Sequence, residues 1–134
     1  MSDPSSFAFL PPYLLALMKH REVGVAWPVN VIPAVIEATR SAGRINLGGD
    51  LQVAGPEGVW ESPNQGLWIF PTELTGTGGQ ASEIAARIAL SKFLSLCSDG
   101  GLLDEALAGC PYLAGHSRDA TLAQLDFSWS IQSA

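Results

Sequence analysis

Two hydrophobic periods divide the chain. Behind Pro12, which suits a first helical position because its missing N–H is not needed there, Leu14, Leu15, Leu17 and Met18 recur at helical spacing. Lys19, His20 and Arg21 follow as cations suited to a helix C-terminus. A second helix is expected from Asn30, whose side chain can cap it, through Val31, Ile32, Val35 and Ile36, with Glu37 and Arg40 outward and Ala42-Gly43 as its stop. From Arg44 to Glu73 the period falls to two, which predicts a strand meander. Leu51 and Val53 alternate with Asp50 and Gln52, Gly55-Pro56-Glu57-Gly58 supplies the Pro and closing Gly of a type I turn, and Val59-Trp60-Glu61 leads back. Ser62 to Gly66 reads as a further turn. Leu67-Trp68-Ile69-Phe70, apolar on both faces, reads as a central strand or one covered from both sides.

After the Gly76-Thr77-Gly78-Gly79 linker, the helical period returns from Gln80 to Ser98. Ile84, Ala85, Ile88, Ala89, Phe93, Leu96 and Cys97 form its apolar face, Glu83 and Arg87 an i,i+4 pair, and Gly100-Gly101 its end. Leu102 to Ala108 adds a short helical turn. Leu125, Phe127, Trp129 and Ile131, alternating with Asp126, Ser128 and Ser130, predict a strand with one buried face. Strands that cluster between helices, instead of alternating with them, favour an α+β fold: a small antiparallel sheet or meander packed by two or three helices in a single pair of layers. Residues 1–134 fit one domain.

Composition narrows the function. Apolar residues make up 47% of the chain and charged residues only 15%, so a folded core with some sticky surface is expected. Thirteen Asp and Glu against seven Lys and Arg give a charge of −6, which repels a phosphate backbone and favours encounter with a basic protein. An acid near the N-terminus and the break at Pro11-Pro12 argue against a signal peptide, and no apolar run reaches the roughly 20 residues of a membrane span. A cytoplasmic location is expected. There Cys97 and Cys110, without a neighbouring Cys or His to complete a metal site, would be buried free thiols.

Candidate chemistry is sparse. Gly76 to Ala81 matches G-x-G-x-x-A between a strand and a helix, but no second βαβ unit follows, the acid at the right distance is Asp99 at a helix end, and no Lys or Arg lies in the loop. A helix-leading loop is the better reading. His116-Ser117-Arg118-Asp119 places hydrolase residue types side by side in what reads as a solvated loop. No catalytic, cofactor or metal site is expected. Among Trp27, Trp60, Trp68 and Trp129, a strand puts Trp60 and Val59 on opposite faces, and likewise Trp68 and Ile69. An exposed Trp60 or Trp68 beside Glu57, Glu61 or Glu73 would make an aromatic anchor ringed by acids.

Arg44-Ile45-Asn46-Leu47-Gly48-Gly49-Asp50-Leu51-Gln52-Val53, then Gly55-Pro56-Glu57-Gly58 and Trp60-Glu61, resembles bacterial immunity proteins of polymorphic toxin systems, and Trp27-Pro28 before the second helix is similar too. The resemblance spans residues 12–98. It departs from the family's pattern in the Gly76 to Gly79 linker and the few acids of the last strand. It implies a protein that neutralises a cognate toxin by one-to-one occlusion of its active site and brings no catalytic residues. The expected toxin-facing residues are Asp50, Glu57, Trp60, Glu61, Trp68 and Glu73. The alternative is a small enzyme or ligand-binding domain using a cleft between meander and long helix, with Gly76 to Gly79 as lid. A self-associating structural subunit is a third reading.

Overall fold

The computed structural model describes residues 2–22, 24–56, 58–74, 80–98, 101–113 and 115–132, the side chains of residues 63 and 64 excepted. In chain order its elements are α1 (Pro12–Leu17), β1 (Lys19–His20), β2 (Val25–Pro28), α2 (Ile32–Ser41), β3 (Asn46–Gly55), β4 (Gly58–Trp68), α3 (Ala81–Ser98), α4 (Gly101–Gly109), α5 (Arg118–Leu122) and β5 (Leu125–Ile131), with short 3-10 turns between several of them. The strands form one five-stranded antiparallel sheet in the order β1-β2-β5-β3-β4. The α+β class, with one helical layer on one sheet, is as the sequence predicts.

The last strand of the chain enters the middle of the sheet. β5 pairs with β2 through Trp27↔Phe127 and with β3 through Leu51↔Phe127, so these side chains share a face. That face is the core: Trp27, Leu51, Val53, Leu125, Phe127 and Trp129 are buried on it. Helix α1 is fastened there by the Trp27 indole, which donates to the Leu14 carbonyl at 2.7 Å. Helix α3 meets it through Phe93, whose ring stands edge-on to Phe127 at 5.4 Å. Helix α2 packs on α3, and α4 packs against β4. Asn46, fully buried, accepts from the Trp129 indole at 2.9 Å and donates to the Ile36 carbonyl at 3.2 Å, so the polar atoms that this packing buries stay paired.

Local signals explain several boundaries. Gly43 stops α2 with a φ of +74°, a conformation in which its N–H reaches Arg40 O and the Arg44 N–H reaches Thr39 O. Asn30 does not cap that helix: it stands in a 3-10 turn, and α2 begins at Ile32 without a side-chain cap. Helix α3 buries Ile84, Ala85, Ala86, Ala89 and Phe93, half-buries Ile88 and Leu96, and leaves Cys97 exposed while Cys110 is buried. Glu83 bonds Arg40 of α2 at 2.8 Å, tying the two helices together. Ser117 caps α5 by accepting from the Ala120 N–H, so the His116 to Asp119 stretch enters a helix and is not a loop throughout.

Four further expectations change. Lys19 and His20 do not end a helix, because α1 stops at Leu17 and the chain turns extended at Met18. The segment from Arg44 to Glu73 holds one long hairpin and not a longer meander. Its second turn is a bulge: Asp50 pairs with Gly66 but Gln52 with Glu61, so residues 62–65 loop out opposite Leu51. The run Leu67 to Phe70 lies at the sheet edge, with Trp68 40% and Phe70 62% exposed. Finally, β5 is not one-sided, for Asp126 is as buried as the apolar residues beside it.

Candidate functional site

Among the described residues the helices pack on the Trp27 and Phe127 face of the sheet, and the opposite face carries a row of polar side chains. Pro28, Asp126, Gln52 and Glu61 are register partners on β2, β5, β3 and β4, so they stand side by side. The side chains of Asp126, Gln52 and Glu61 are linked through Arg21. Lys19 Nζ lies 2.7 Å from Asp126 Oδ1 and Arg21 Nη2 lies 2.8 Å from Oδ2. Arg21 Nε donates to Gln52 Oε1 at 3.0 Å, and Gln52 Nε2 donates onward to Glu61 Oε2 at 3.1 Å. The Asp126 side chain is only 1% exposed, yet both its oxygens are satisfied by cations, which makes a buried carboxylate tolerable.

Beside this row sits Asp50. Its backbone is pinned by Ser128, whose hydroxyl accepts the Asp50 N–H at 2.9 Å and donates to the Asp50 carbonyl at 3.3 Å. The Trp68 indole N–H points at Asp50 Oδ1 from 3.4 Å, and the Glu61 carboxylate is close enough to repel the Asp50 charge. Burial, and after it the facing Glu61, push the Asp50 carboxyl above the ordinary carboxylate value, against the opposing pull of the Trp68 N–H. The strip is therefore polarised, with two cations at the β1 end and two facing carboxylates at the β4 end.

Gly66 makes room for the second of these. A Cβ at Gly66 would overlap the Asp50 carboxylate. Gly66→Ala is accordingly expected to push Asp50 away from Trp68 and to lower stability by about 1 kcal/mol, measured by urea unfolding with a matching change in tryptophan emission. Unchanged stability and emission would show that the niche is loose.

Of the residues expected to face a partner, the fold brings three together: Asp50, Glu61 and Trp68. Trp60 is not with them. It pairs with Val53 on the helix-covered face, half-buried with its ring against Gly109 of α4. Glu73 sits in the 3-10 turn Pro71–Leu74, where it accepts the Phe70 N–H at 2.9 Å and meets Lys92 at 3.0 Å. The Phe70 N–H first, and Lys92 second, hold its carboxyl below the usual range. Glu57, Gly76 to Gly79 and Asp99 lie outside the described residues. Lys19, Arg21, Gln52, Gly66 and Asp126 belong to the site and were not anticipated. Alternation along β3 and β5 puts Asp50, Gln52 and Asp126 on polar faces, but their meeting depends on β3 pairing with β5.

Clefts are present elsewhere. One of about 500 Å³ lies between the β3–β4 turn and the end of α4, lined by Pro56, Val59, Trp60, Cys110, Pro111 and Tyr112. Another of about 380 Å³ separates Gly66 to Trp68 from Ser91, Lys92, Ser95 and Leu96, and so runs between the hairpin and the long helix. Lys92, its cation, is engaged by Glu73 and the Trp68 carbonyl. Among the described residues no group of three His, Cys, Asp or Glu is placed to hold a metal ion, and no helix is long and apolar enough to cross a membrane. Comparison with protein-family models, with curated proteins and with solved structures returns no match for this chain.

Proposed function

We propose that this chain is a binding protein of the immunity type, which docks a basic surface of a cognate toxin on the helix-free face of its sheet. The observation that carries this reading is the pairing of Asp50 with Glu61 beside the 40% exposed Trp68. Two carboxylates held against each other are relieved by an incoming guanidinium or ammonium, and the exposed indole offers an aromatic surface to the same group. Ser128 pins the Asp50 backbone before contact, which lowers the ordering cost on that side of the site. The net charge of −6 supports steering toward a basic partner, and the immunity resemblance supplies the class of that partner.

The test pairs the chain with the toxin domain encoded by the adjacent gene, by titration calorimetry. Trp68→Ala and Glu61→Lys are each expected to weaken binding at least about tenfold, as central aromatic and charged contacts do, and Glu61→Lys to flatten the salt dependence. Glu73→Lys, at a separate place on the fold, should matter little. Full affinity in Glu61→Lys and Trp68→Ala would rule out this face. A gene neighbourhood without a toxin would rule out the immunity reading itself.

The cleft of about 500 Å³ beside Trp60 and Tyr112 favours a second reading, a ligand-binding domain for small apolar molecules. A thermal-shift screen of metabolites separates the two, because a specific ligand raises the melting temperature by mass action without any partner protein.

A further inference from the structure

We propose that the open edge of β4 at Gly66 to Trp68 takes up an extended segment of a partner protein as a sixth strand, one that sets a Lys or Arg opposite Gly66 and small apolar residues toward α3. β4 ends the strand order, so one side of its backbone has no neighbouring strand. Which groups face that side follows from the pairing. The Asp50 N–H and carbonyl are both bonded to the Ser128 hydroxyl of β5, so Asp50 and its partner Gly66 exchange no backbone bonds, and the Gly66 N–H and C=O turn outward. The Trp68 groups, two residues on, do the same. Lys92 donates to the Trp68 carbonyl at 3.0 Å from that outer side, while the next N–H, of Ile69, points inward to the Leu47 carbonyl at 2.8 Å.

The ends of this edge are marked. Residues 62–65 loop out before it, and after it Glu73 accepts the Phe70 N–H at 2.9 Å and pairs with Lys92 at 3.0 Å, so side chains stand there where a further strand would. Between them, the two sides of an added strand meet different chemistry. A residue beside Leu67 points to the cleft of about 380 Å³ between β4 and α3, where Ser91, Ser95 and Leu96 suit a small apolar side chain. A residue opposite Gly66 stands on the Asp50 side. Gly66 has no side chain to intervene, and the Asp50 carboxylate leans over it into the place a Cβ would take. With strands about 4.8 Å apart, a Lys or Arg opposite Gly66 reaches that carboxylate across the glycine. The residue opposite Trp68 lies against its exposed indole, a surface that also favours a cation. Backbone bonds would supply affinity and the alternate side chains the choice of partner.

This inference rests on the docking face proposed above and names the form in which a basic partner meets it; it is tested on the free chain with synthetic peptides. The probe is a short capped peptide alternating valine and arginine, titrated into labelled chain and followed by amide NMR. Shifts are expected at the Gly66 and Trp68 amides and at the Trp68 indole, and none with a peptide carrying glutamate in place of arginine. Asp50→Asn should weaken the arginine peptide at least about fivefold. N-methylation of its arginines, whose N–H groups face β4 when they stand opposite Gly66 and Trp68, keeps the charge and removes the backbone bonds, and should weaken binding at least about tenfold. N-methylation of the valines should cost little. Equal affinity of the arginine-methylated and parent peptides, or no binding of the parent, would overturn strand addition. Gly66 and Trp68 signals that move with the chain's own concentration would give the edge to a second copy and overturn the partner assignment. Toxin binding that Trp68→Ala weakens, without a shift at Gly66, would keep the docking face and discard the added strand. Should Asp50→Asn fail to fold, the two methylated peptides decide the question.

Discussion

Phe127→Ala is expected to lower the stability of this fold by about 4 kcal/mol, the upper part of the range for a large buried aromatic. Phe127 is fully buried on the central strand, between Trp27 of β2 and Leu51 of β3, with Phe93 edge-on at 5.4 Å and Trp129 at 6.1 Å. The lost ring would leave a cavity bounded by hydrogen-bonded strands on both sides and by α3 above, and such walls collapse poorly. Since domains of this size have roughly 5–15 kcal/mol in hand, the variant should sit close to unfolding at 25 °C. Urea unfolding followed by circular dichroism measures it, with Phe127→Leu as a milder comparison. A loss under about 1 kcal/mol would mean that the centre of the sheet repacks freely.

The neighbouring residue gives the second large effect from the opposite face. Asp126→Ala should cost about 3 kcal/mol, because removing one side of a buried ion pair strands the other. Arg21, with a side chain only 13% exposed, would be left near Gln52 without its carboxylate, while Lys19 at 41% can turn to water. The loss should therefore fall toward the lower end for such pairs and fall mainly on β1, a strand of two residues whose Lys19 is one of the two cations. Hydrogen exchange should speed up at Lys19 and His20 more than in β3. Asp126→Asn, which keeps an acceptor of the same shape, is expected to lose less than Asp126→Ala. Equal losses in the two variants would show that the negative charge alone, and not the retained acceptor, is what Asp126 contributes.

These two residues mark where sequence reading succeeds and where it stops. Alternation along β5 correctly separates Phe127 from Asp126, because side chains of successive strand residues point to opposite faces whatever the fold. It does not say that the polar face will be buried. That follows from β5 lying between β2 and β3, which brings Lys19 and Arg21 over Asp126 from 105 to 107 residues away in the chain. The same limit applies to Leu67 to Phe70: a run apolar on both faces reads as interior, yet an edge position leaves Trp68 and Phe70 in water. β2 was missed because four residues ending in Pro28 carry too little periodic signal, and their strand conformation is set by pairing with β5.

For the candidate site, residue types were legible and their grouping only in part. Asp50, Trp68 and Glu61 could be picked out as acids and an aromatic in an alternating hairpin. Trp60 belonged to the same list, but its pairing with Val53 turns it to the helices. Glu73 was set apart by its 3-10 turn and by Lys92 from α3.

The sequence by itself determined what local physics can determine: the stop of α2 at Gly43, the long helix α3, the turn between β3 and β4, the two faces of β5 and the α+β class. Only the tertiary structure decided which strand is central, where the hairpin bulges, and that Asp50 and Glu61 meet beside Trp68. Helix stops and strand faces depend on a few consecutive residues and their backbone angles, whereas strand order and register depend on which distant segments bury their apolar faces together.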